Sequence, residues 1–263
     1  MKPLVKWPGG KGKLLPELTA RMPATYGRYF EPFAGGAALF FHLQPDGAVI
    51  GDANADLIDT YRAVADHPEE VISQLAEPFT PERYYEIRAA FNAHTGPRAA
   101  QFLYLNRCCF NGLWRVNRHG EFNTPCGKYK APFAGMPERI RATAQALAGC
   151  TVHAGDYRDT VDSARSGDFV YMDPPYDGTW CGYTADGFSS DAQAELARTV
   201  DLLVSRGVTV MLSNSDTPRV RVLYAKWRID TVRCKRSINC DGGGRGEVNE
   251  VIVMAGYEPA VLP

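Results

Sequence analysis

The sequence predicts an α/β protein whose core is an open, mostly parallel sheet. Three observations support this class. Short apolar runs end in glycine, aspartate or proline, as buried strands do where they leave a sheet. Residues 28–41 read as a strand, a glycine turn and a helix. A long helical pattern separates two groups of strands, which predicts one sheet domain from residues 1–56 and 145–263 with a mostly helical insertion at residues 57–144.

Length and composition exclude several classes of protein. A chain of 263 residues can bury a full core. Its formal net charge of -1 gives no global basic signature, so any nucleic-acid surface has to be a local patch. The seven cysteines include no CxxC pair, which argues for reduced thiols in a cytoplasmic protein and against a zinc site. We expect no metal and no membrane segment, because no apolar run approaches the thickness of a bilayer.

The first functional candidate is the segment VKWPGGKGK at residues 5–13. Its clustered glycines and lysines are typical of a phosphate loop, but the P-loop spacing fails because Leu14 follows Gly12-Lys13. Lys11, with Trp7 nearby, could hold a carboxylate and cover a flat ring. A solvated N-terminal arm explains the same residues equally well.

Residues 28–41, RYFEPFAGGAALFF, predict a strand, a tight glycine turn and an apolar helix. Such glycines let a ligand approach the backbone at the N-terminus of a helix. The fingerprint GxGxxG is absent, which weakens a nicotinamide interpretation. A second strand at residues 48–51 ends at Asp52, close to the offset at which an acid binds ribose hydroxyls. Asp52 could instead cap the next helix, although Asn54 or Asp56 could also do so.

Residues 56–107 show a helical pattern that is too long for a simple crossover, so we predict a helical insertion. Residues 106–141 carry seven Lys or Arg against two Glu, with aromatic residues interleaved. Within them, residues 114–118 and 121–124 flank a His119-Gly120 pair, a pattern typical of a hairpin. Such side chains bond base edges and phosphates, and an aromatic ring can enter between bases. The segment therefore favours DNA contact, and an exposed loop over a small apolar cluster is the alternative.

The strand pattern returns after the insertion. Strands are predicted at residues 151–154, 169–173, 208–213, 227–234 and 248–255, a helix at residues 191–205, and a mobile loop at residues 241–246. The basic segment at residues 219–236 is either a second DNA-facing surface or a solvated face. None of the five histidines has the spacing of a triad or a metal site, and no GxSxG elbow is present. Hydrolase and metalloenzyme interpretations therefore have no support.

The stretch FVYMDPPY at residues 169–176 combines a buried strand with a rigid corner. Pro174 and Pro175 donate no backbone hydrogen bond and fix φ, so the strand has to stop at Asp173. The corner then carries a carboxylate, a carbonyl freed from the sheet, and the Tyr176 ring. It lies outside the carboxyl end of a strand, which is where ligands bind in open α/β sheets.

This corner suits chemistry at an exocyclic aromatic amine such as adenine N6. That nitrogen is a poor nucleophile because its lone pair is delocalised into the ring. The Asp173 carboxylate and the Pro174 carbonyl can bind both amine hydrogens and free the lone pair to attack an activated methyl group. Tyr176 supplies a face on which an extruded base can stack. An ordinary strand-to-loop turn is the alternative interpretation of DPP alone.

Four motifs in this order, KWPGGK, EPFAGGAALFF, DANADL and DPPY, resemble those of the Dam-type (D12 class) N6-adenine-specific DNA methyltransferases, nearly from end to end. The segment NRCCFNGLWRVNRHGEFNTPCGKYK is similar to the DNA-reading part of members that methylate adenine in GATC. The resemblance implies a Rossmann-like, S-adenosylmethionine-dependent methyltransferase sheet with an inserted helical DNA-recognition domain that carries a β-hairpin. It implies methyl transfer to adenine N6 in double-stranded DNA, most simply within GATC, with the target base flipped out. We expect a cytoplasmic monomer with no obligate protein partner.

The resemblance also assigns roles to residues that match the motifs of the family. The residues expected to be catalytic are Asp173, Pro174 and Tyr176. Those expected to contact the cofactor are Trp7, Lys11, Glu31, Phe33, Gly35, Asp52, Asp156 and Asp173. Those expected to read the outer bases are Lys6, Leu113, Arg115, Asn117 and Pro125. Those expected to wedge into the duplex and hold the orphaned base are Phe110 and Asn111, and those expected on phosphates are Arg107 and Lys128.

Two positions depart from the family pattern. Phe110 stands where a tyrosine is often found, and Lys128 stands where arginine is, which removes a bidentate phosphate fork. Two other functions remain open from the residues. One is methylation of an amine in ribosomal or transfer RNA, and the other is a catalytically silent DNA-binding module, against which the intact DPPY argues.

Overall fold

One mixed sheet organises the computed structural model, which describes residues 1–75, 78–178, 188–235 and 247–259. Its strands are β1 (Tyr29–Glu31), β2 (Val49–Asp52), β3 (Thr151–Ala154), β4 (Phe169–Met172), β5 (Thr209–Ser215), β6 (Arg228–Lys235) and β7 (Glu247–Ala255). They lie in the order β3, β2, β1, β4, β5, β7, β6, and β7 runs antiparallel to both of its neighbours. The remaining pairs are parallel, which confirms the predicted Rossmann-like α/β class.

The described ranges also contain helices on both sides of the sheet and in the insertion. They are α1 (Leu15–Thr19), α2 (Ala38–Leu43), α3 (Ala55–Asp66), α4 (Pro68–Leu75), α5 (Pro81–Asn92), α6 (Arg98–Cys108), α7 (Met136–Leu147), α8 (Tyr157–Val161), α9 (Ser190–Ser205) and α10 (Pro218–Leu223). Short 3₁₀ turns occupy Lys11–Lys13 and Phe110–Gly112. Helices α3 to α6 lie between residues 55 and 108, which confirms the helical pattern predicted for residues 56–107.

A switch in strand order positions the predicted motifs. From β1 the chain moves to β2 and β3 on one side of the sheet, and it returns to β4 and β5 on the other. Such a switch leaves a crevice at the carboxyl ends of the two middle strands. Here β1 leads into the glycine turn at residues 34–37, and β4 leads into the proline corner at residues 173–176. Both motifs therefore border the same crevice.

Each face of the central strands is covered by its own apolar cluster. On β4, Phe169 and Tyr171 belong to one cluster, and Val170 and Met172 belong to the other. All four side chains are buried, as a parallel strand between two helical layers requires. This explains why residues 169–172 read as an unbroken apolar run.

The insertion shares the larger of the two clusters with the sheet. Trp114, Phe102 and Tyr29 all belong to it. The Trp114 ring lies 4.1 Å from Phe102, 4.4 Å from Phe122 and 6.3 Å from Trp7, between ring centroids. Helix α3 packs on β2 and β3 as well as on α6. The division into a domain of residues 1–56 and 145–263 and a second of residues 57–144 stays a prediction.

Some elements differ from the sequence prediction. The sequence patterns do not predict α7, α8 or α10. Helices α8 and α10 have only five and six residues, which is too short to show a helical periodicity. Strand β5 extends two residues beyond its predicted end because Asn214 and Ser215 still pair with Val251 and Glu250. The predicted loop at residues 241–246 lies outside the described residues.

Cys108, Cys109, Cys126 and Cys150 are free thiols, and the first two are buried. Cys181 and Cys240 lie outside the described residues. In the described ranges, no helix combines the length and hydrophobicity needed to span a bilayer. The same ranges contain no cluster of three His, Cys, Asp or Glu side chains placed to hold a metal ion.

Replacing Trp114 by alanine should lower the free energy of unfolding by about 3–5 kcal/mol, because it opens a cavity among the aromatic rings that join the insertion to the N-terminal arm. The control Val222→Ala, at an exposed position of α10, should change it by less than about 0.5 kcal/mol. Urea titration measures both. Equal midpoints for the two variants would contradict this placement of Trp114.

Candidate active site

The carboxylate of Asp173 is the most strongly engaged group of the proline corner. Its Oδ1 lies 2.8 Å from Lys11 Nζ and accepts a 2.8 Å hydrogen bond from the Ser213 hydroxyl. The Lys11 and Asp173 side chains are only 7% and 19% exposed. The pair is therefore shielded from water, where an ion pair is held more tightly than at a surface.

Lys11 belongs to the corner and not to a solvated arm. Its ammonium donates to the Gly9 carbonyl at 2.6 Å and lies 4.6 Å from the centroid of the Tyr176 ring. The 3₁₀ turn at Lys11–Lys13 holds its backbone beside the crevice. Of the two interpretations that the sequence leaves open for Lys11, the structure supports the buried one.

Two oxygen atoms of the corner have no donor within the described part of the chain. One is Asp173 Oδ2, since Lys11 and Ser213 both bind Oδ1. The other is the Pro174 carbonyl, which leaves the sheet after β4 and accepts no hydrogen bond from a described residue. These are the two acceptors that the sequence pattern predicts for an amine.

Glu31 ends β1 close to this corner and is 2% exposed. Its Oε2 accepts hydrogen bonds from the Tyr29 hydroxyl at 2.6 Å and from the Phe40 amide at 3.1 Å. Burial raises the pKa of Glu31 to about 8 despite these two bonds, and the negative charge of Asp173 adds to the rise. Most Glu31 side chains therefore carry a proton at neutral pH.

The glycine turn presents bare backbone to the crevice. Gly35 has a φ of 46°, and a Cβ at this position would stand 2.5 Å from Cδ1 of Trp7. Its amide donates to Asp52 Oδ2 at 2.8 Å, and its carbonyl accepts from the Tyr61 hydroxyl at 2.8 Å. The turn is thus fixed on both sides, and a larger residue than glycine has no room there.

Asp52 does not cap the helix that follows it. The side chain of Asn54 caps α3 by accepting from the Leu57 amide, which resolves the capping alternative. Asp52 instead binds the amides of Gly35 and Asn54 at 2.8 and 2.9 Å. Burial raises the pKa of Asp52, and these two hydrogen bonds oppose the rise.

Phe33 and Asp156 lie on the β3 side of the crevice. The Phe33 ring stacks on Tyr157 with centroids 5.1 Å apart, next to Asp156. Asp156 caps α8, and both of its oxygens bind the Arg158 guanidinium, at 2.8 and 2.9 Å. That pairing lowers the pKa of Asp156. A ligand would have to compete with Arg158 for this carboxylate.

Sequence patterns miss the side chains that hold the corner in place. They are Ser213 on Asp173, Glu250 on the Tyr176 hydroxyl at 2.9 Å, and Gln193 on the Pro175 carbonyl at 2.9 Å. Each lies on a different element, β5, β7 or α9, and is 18 to 74 residues from its partner. A weak signal exists for Glu250, which directly precedes the apolar run VIVMA at residues 251–255.

The predicted hairpin is present, with its turn one residue earlier than predicted. Asn117 and Glu121 join by a 2.9 Å backbone bond, and the Gly120 amide donates to the Asn117 carbonyl at 2.9 Å. Arg118 and His119 are therefore the central residues, and Gly120 takes a φ of 78° at the end of the turn. The sequence prediction placed His119-Gly120 at the centre and was wrong by one position.

The side chains of the hairpin differ in how freely they are held. Arg115 donates from Nε to Asn123 Oδ1 at 2.8 Å. The Asn117 oxygen accepts from the amides of His119 and Glu121 at 2.9 and 3.0 Å, and its amide donates to the Glu121 carboxylate. Both the oxygen and the nitrogen of the Asn117 side-chain amide therefore form hydrogen bonds within the turn. The bond from Arg115 to Asn123 uses Nε and does not involve the two terminal nitrogens of the guanidinium.

A second group of predicted DNA contacts surrounds the 3₁₀ turn Phe110–Gly112. The Phe110 side chain is 53% exposed, which is unusual for a large apolar group. Asn111 is exposed with a φ of 55°, and the Phe110 amide donates to the Pro125 carbonyl at 2.8 Å. The other members are the exposed Lys128 and the half-buried Arg107 and Leu113.

The N-terminal arm joins this surface to the crevice. The Lys6 backbone exchanges two hydrogen bonds with the Asn106 side chain, at 2.9 and 2.7 Å. Its ammonium lies 4.3 Å from the centroid of the Tyr129 ring, and burial together with Arg107 lowers the pKa of Lys6. Five residues later, Lys11 reaches Asp173. The predicted DNA-contacting and cofactor-contacting residues are therefore continuous in space.

Comparison with known proteins decides the family. A family model described as D12 class N6 adenine-specific DNA methyltransferase matches residues 7–238. The chain belongs to this family. The predictions of an adenine-specific DNA methyltransferase and of the Dam-type resemblance are thereby confirmed.

Curated relatives match over nearly their whole length. Type II methyltransferase M1.LlaDCHI from Lactococcus lactis subsp. cremoris is 38% identical, over 96% of this chain and 95% of that protein. Retron Ec67 DNA adenine methylase from Escherichia coli is 37% identical, over 97% and 92%. The DNA adenine methylase of Escherichia coli is 34% identical, over 98% and 96%.

The crevice fits S-adenosylmethionine, the cofactor predicted from the sequence and supported by the family. Bare backbone at Gly35 faces Trp7, where a Cβ has no room. The half-buried carboxylate of Asp52 lies beside it, bound to the Gly35 amide. The Phe33 ring, which stacks on Tyr157, adds a flat apolar surface. These groups suit a ligand that combines hydroxyls, a flat base and charged ends.

Glu31→Gln should make stability less dependent on pH between about pH 5 and 8. The folded chain keeps the Glu31 proton up to about pH 8, whereas the unfolded chain loses it near 4.5. Between these values the folded state binds more protons, so the wild-type free energy of unfolding falls as pH rises. The wild-type free energy of unfolding should fall, relative to that of Glu31→Gln, by up to about 1.4 kcal/mol per pH unit. Urea titrations at three pH values measure the difference, and a constant difference would contradict the raised pKa.

Proposed function

We propose that this methyltransferase moves a methyl group from S-adenosylmethionine to N6 of adenine in double-stranded DNA, within GATC, with the target base flipped out of the helix. The observation that carries the proposal is a pair of acceptors, Asp173 Oδ2 and the Pro174 carbonyl, to which no residue in the described ranges donates a hydrogen bond. They match the two hydrogens of an exocyclic amine. We propose that the enzyme acts as a cytoplasmic monomer without an obligate protein partner.

The proposed chemistry uses the corner to make the amine nucleophilic. Asp173 Oδ2 and the Pro174 carbonyl accept the two N6 hydrogens and draw the nitrogen toward tetrahedral geometry. S-adenosylmethionine, when bound, supplies a methyl group on a positively charged sulfur. N6 would form its new bond to the methyl carbon as the carbon–sulfur bond breaks and a neutral thioether leaves, and the Asp173 carboxylate would accept the N6 proton. Lys11 and Ser213 fix the rotation of that carboxylate through Oδ1.

The depth of the site supports base flipping. The Asp173 side chain is only 19% exposed, behind the Tyr176 ring and the Lys11 ammonium. An adenine that stays paired in a duplex has its N6 hydrogen-bonded and stacked within the helix. Such a base cannot reach a recessed carboxylate, so it has to leave the stack. The exposed Phe110 ring is suited to fill the vacated space, and Asn111 to bond the orphaned partner.

For cofactor binding we propose one role for each predicted residue. Asp52 binds the ribose hydroxyls, Gly35 and Phe33 line the turn, and Trp7 covers it. Lys11 and Glu31 lie toward the reacting end, beside Asp173. Asp156 binds the adenine of the cofactor once Arg158 releases its carboxylate.

For DNA reading we propose that the hairpin enters the major groove. Lys6, Leu113, Arg115, Asn117 and Pro125 contact the outer bases, while Arg107 and Lys128 contact phosphates. Support comes from their partly or fully exposed side chains and from the hydrogen bond that the Lys6 ammonium donates to the Arg107 carbonyl at 3.4 Å. Arg115 is the strongest candidate for a bidentate contact with guanine, because among the described residues its guanidinium donates a hydrogen bond through Nε alone.

Asp173→Ala should strongly reduce methylation, because it removes the carboxylate that binds one N6 hydrogen and accepts the N6 proton, while DNA binding changes little. The substitution also leaves the buried Lys11 ammonium unpaired, so Asp173→Asn is included to keep an acceptor for Lys11. We expect both to lose at least about 100-fold in methyl-transfer rate, and the exposed-site control Asp46→Ala to keep it. Labelled methyl transfer to duplex DNA, with RNA as competitor, measures this. Normal turnover by either Asp173 variant, or preference for RNA, would refute the proposal.

Arg115→Ala should relax discrimination at one outer base pair of GATC, by about 1–3 kcal/mol for a lost bidentate contact. The matched control is Arg118→Ala, which removes the same charge from the exposed tip of the hairpin. It should weaken binding to all sequences alike. Relative methylation rates on GATC and on sites with one outer pair changed give the ratio. An Arg115 variant that keeps full selectivity would remove this residue from base reading.

A further inference from the structure

Glu250 is a buried acid that neither the motifs nor the proposed chemistry uses. It lies on β7 and is 5% exposed, next to Val251 and Ile252, which are fully buried. In the sheet it stands opposite Ser215 of β5 and Val232 of β6. A carboxylate is costly to bury without hydrogen-bond partners, so an acid in this position requires a compensating contact.

That contact is the catalytic motif itself. The Tyr176 hydroxyl donates to Glu250 Oε2 at 2.9 Å, across 74 residues of sequence. A hydrogen bond of this length between two shielded groups restricts the position of the hydroxyl. The far end of the Tyr176 ring is therefore tied to β7, while its near end is tied to the proline corner.

The ring has little freedom on its other sides. Lys11 Nζ lies 4.6 Å from its centroid, and the same ammonium binds Asp173. The Tyr171 hydroxyl and the Ser213 hydroxyl lie 3.1 Å apart beneath the corner, and Ser213 binds Asp173. Burial and the charges of Asp173 and Glu250 raise the pKa of Tyr176, so the phenol keeps its proton and remains a donor.

We propose that Glu250 is a positioning residue that sets the orientation of the Tyr176 ring, and through it the plane in which the flipped adenine stacks before methyl transfer. The inference rests on the proposed function, in which Tyr176 is the stacking face. It adds a requirement on β7, outside the DPPY motif. A ring that can tilt would present N6 to Asp173 and Pro174 at the wrong angle, and the reaction depends steeply on that alignment.

A double-mutant cycle tests the bond. The variants are Glu250→Ala, Glu250→Gln, Tyr176→Phe and the double variant with Ala and Phe. Single-turnover methyl transfer to a GATC duplex gives the rate, and fluorescence anisotropy gives the DNA affinity. We expect Glu250→Ala and Tyr176→Phe each to lower the rate by about 10- to 100-fold, with DNA affinity within about twofold. We expect the double variant to be no slower than the slower single variant.

The conservative variant separates positioning from simple loss of stability. Gln keeps an acceptor for the Tyr176 hydroxyl, so its rate should recover to within about fivefold of the wild type. Tyr176→Phe removes the bond while leaving the ring and Glu250 in place, so it tests the proposal even if Ala at position 250 does not fold. Glu258→Ala, an exposed acid beyond the end of β7, is the control and should keep the wild-type rate.

The outcomes distinguish this inference from the proposed function. If the wild type methylates GATC and either Glu250→Ala or Tyr176→Phe keeps the full rate, the positioning role is refuted and the proposed function stands. Multiplicative losses in the double variant also refute it, because the two side chains then act independently. A wild type that methylates no adenine in DNA overturns the proposed function and this inference together.

Discussion

The active crevice depends on one buried ion pair, between Lys11 and Asp173. Carboxyl groups from three strands or strand ends converge here, since Glu31 follows from β1, Asp173 from β4 and Glu250 from β7. Three ionised acids so close together would repel one another strongly in a shielded site. The Lys11 ammonium neutralises Asp173, and the raised pKa of Glu31 keeps that acid mostly protonated at neutral pH. These two effects lower the electrostatic cost of holding the Asp173 carboxylate in the crevice.

The N-terminal arm makes this ion pair part of a larger assembly. Within six residues it binds the insertion through Lys6, covers the glycine turn through Trp7, and reaches Asp173 through Lys11. Trp7 also lies 6.3 Å from Trp114, whose ring is buried beneath the hairpin. A shift of the hairpin against the sheet would therefore disturb the groups that hold the reactive carboxylate. This gives a physical path from the surface proposed to face DNA to the crevice.

The sequence predicts those parts of the site that depend on local rules. Prolines have to end β4 at Asp173, and a left-handed turn needs Gly35. These two positions agree with the structure. The sequence leaves the cap of α3 open among Asp52, Asn54 and Asp56, and the structure shows Asn54 in that role. The contacts of Ser213, Glu250 and Gln193 are not predictable in this way, because each depends on which strands become neighbours and in which register. One position of slip between β5 and β7 would turn Glu250 to the opposite face of the sheet.

Local sequence rules and contacts between distant elements make different contributions to the proline corner. Local sequence frees two acceptors from the sheet, but freedom alone would leave a mobile loop with scattered polar groups. The surrounding elements bind the other polar groups of the corner: Ser213 and Lys11 hold Asp173 Oδ1, Gln193 holds the Pro175 carbonyl, and Glu250 holds the Tyr176 hydroxyl. What remains among the described residues is a fixed pair of acceptors beside a fixed ring. Groups oriented in advance need no reorganisation when the amine arrives, and this preorganisation is the main means by which a protein can activate a weak nucleophile.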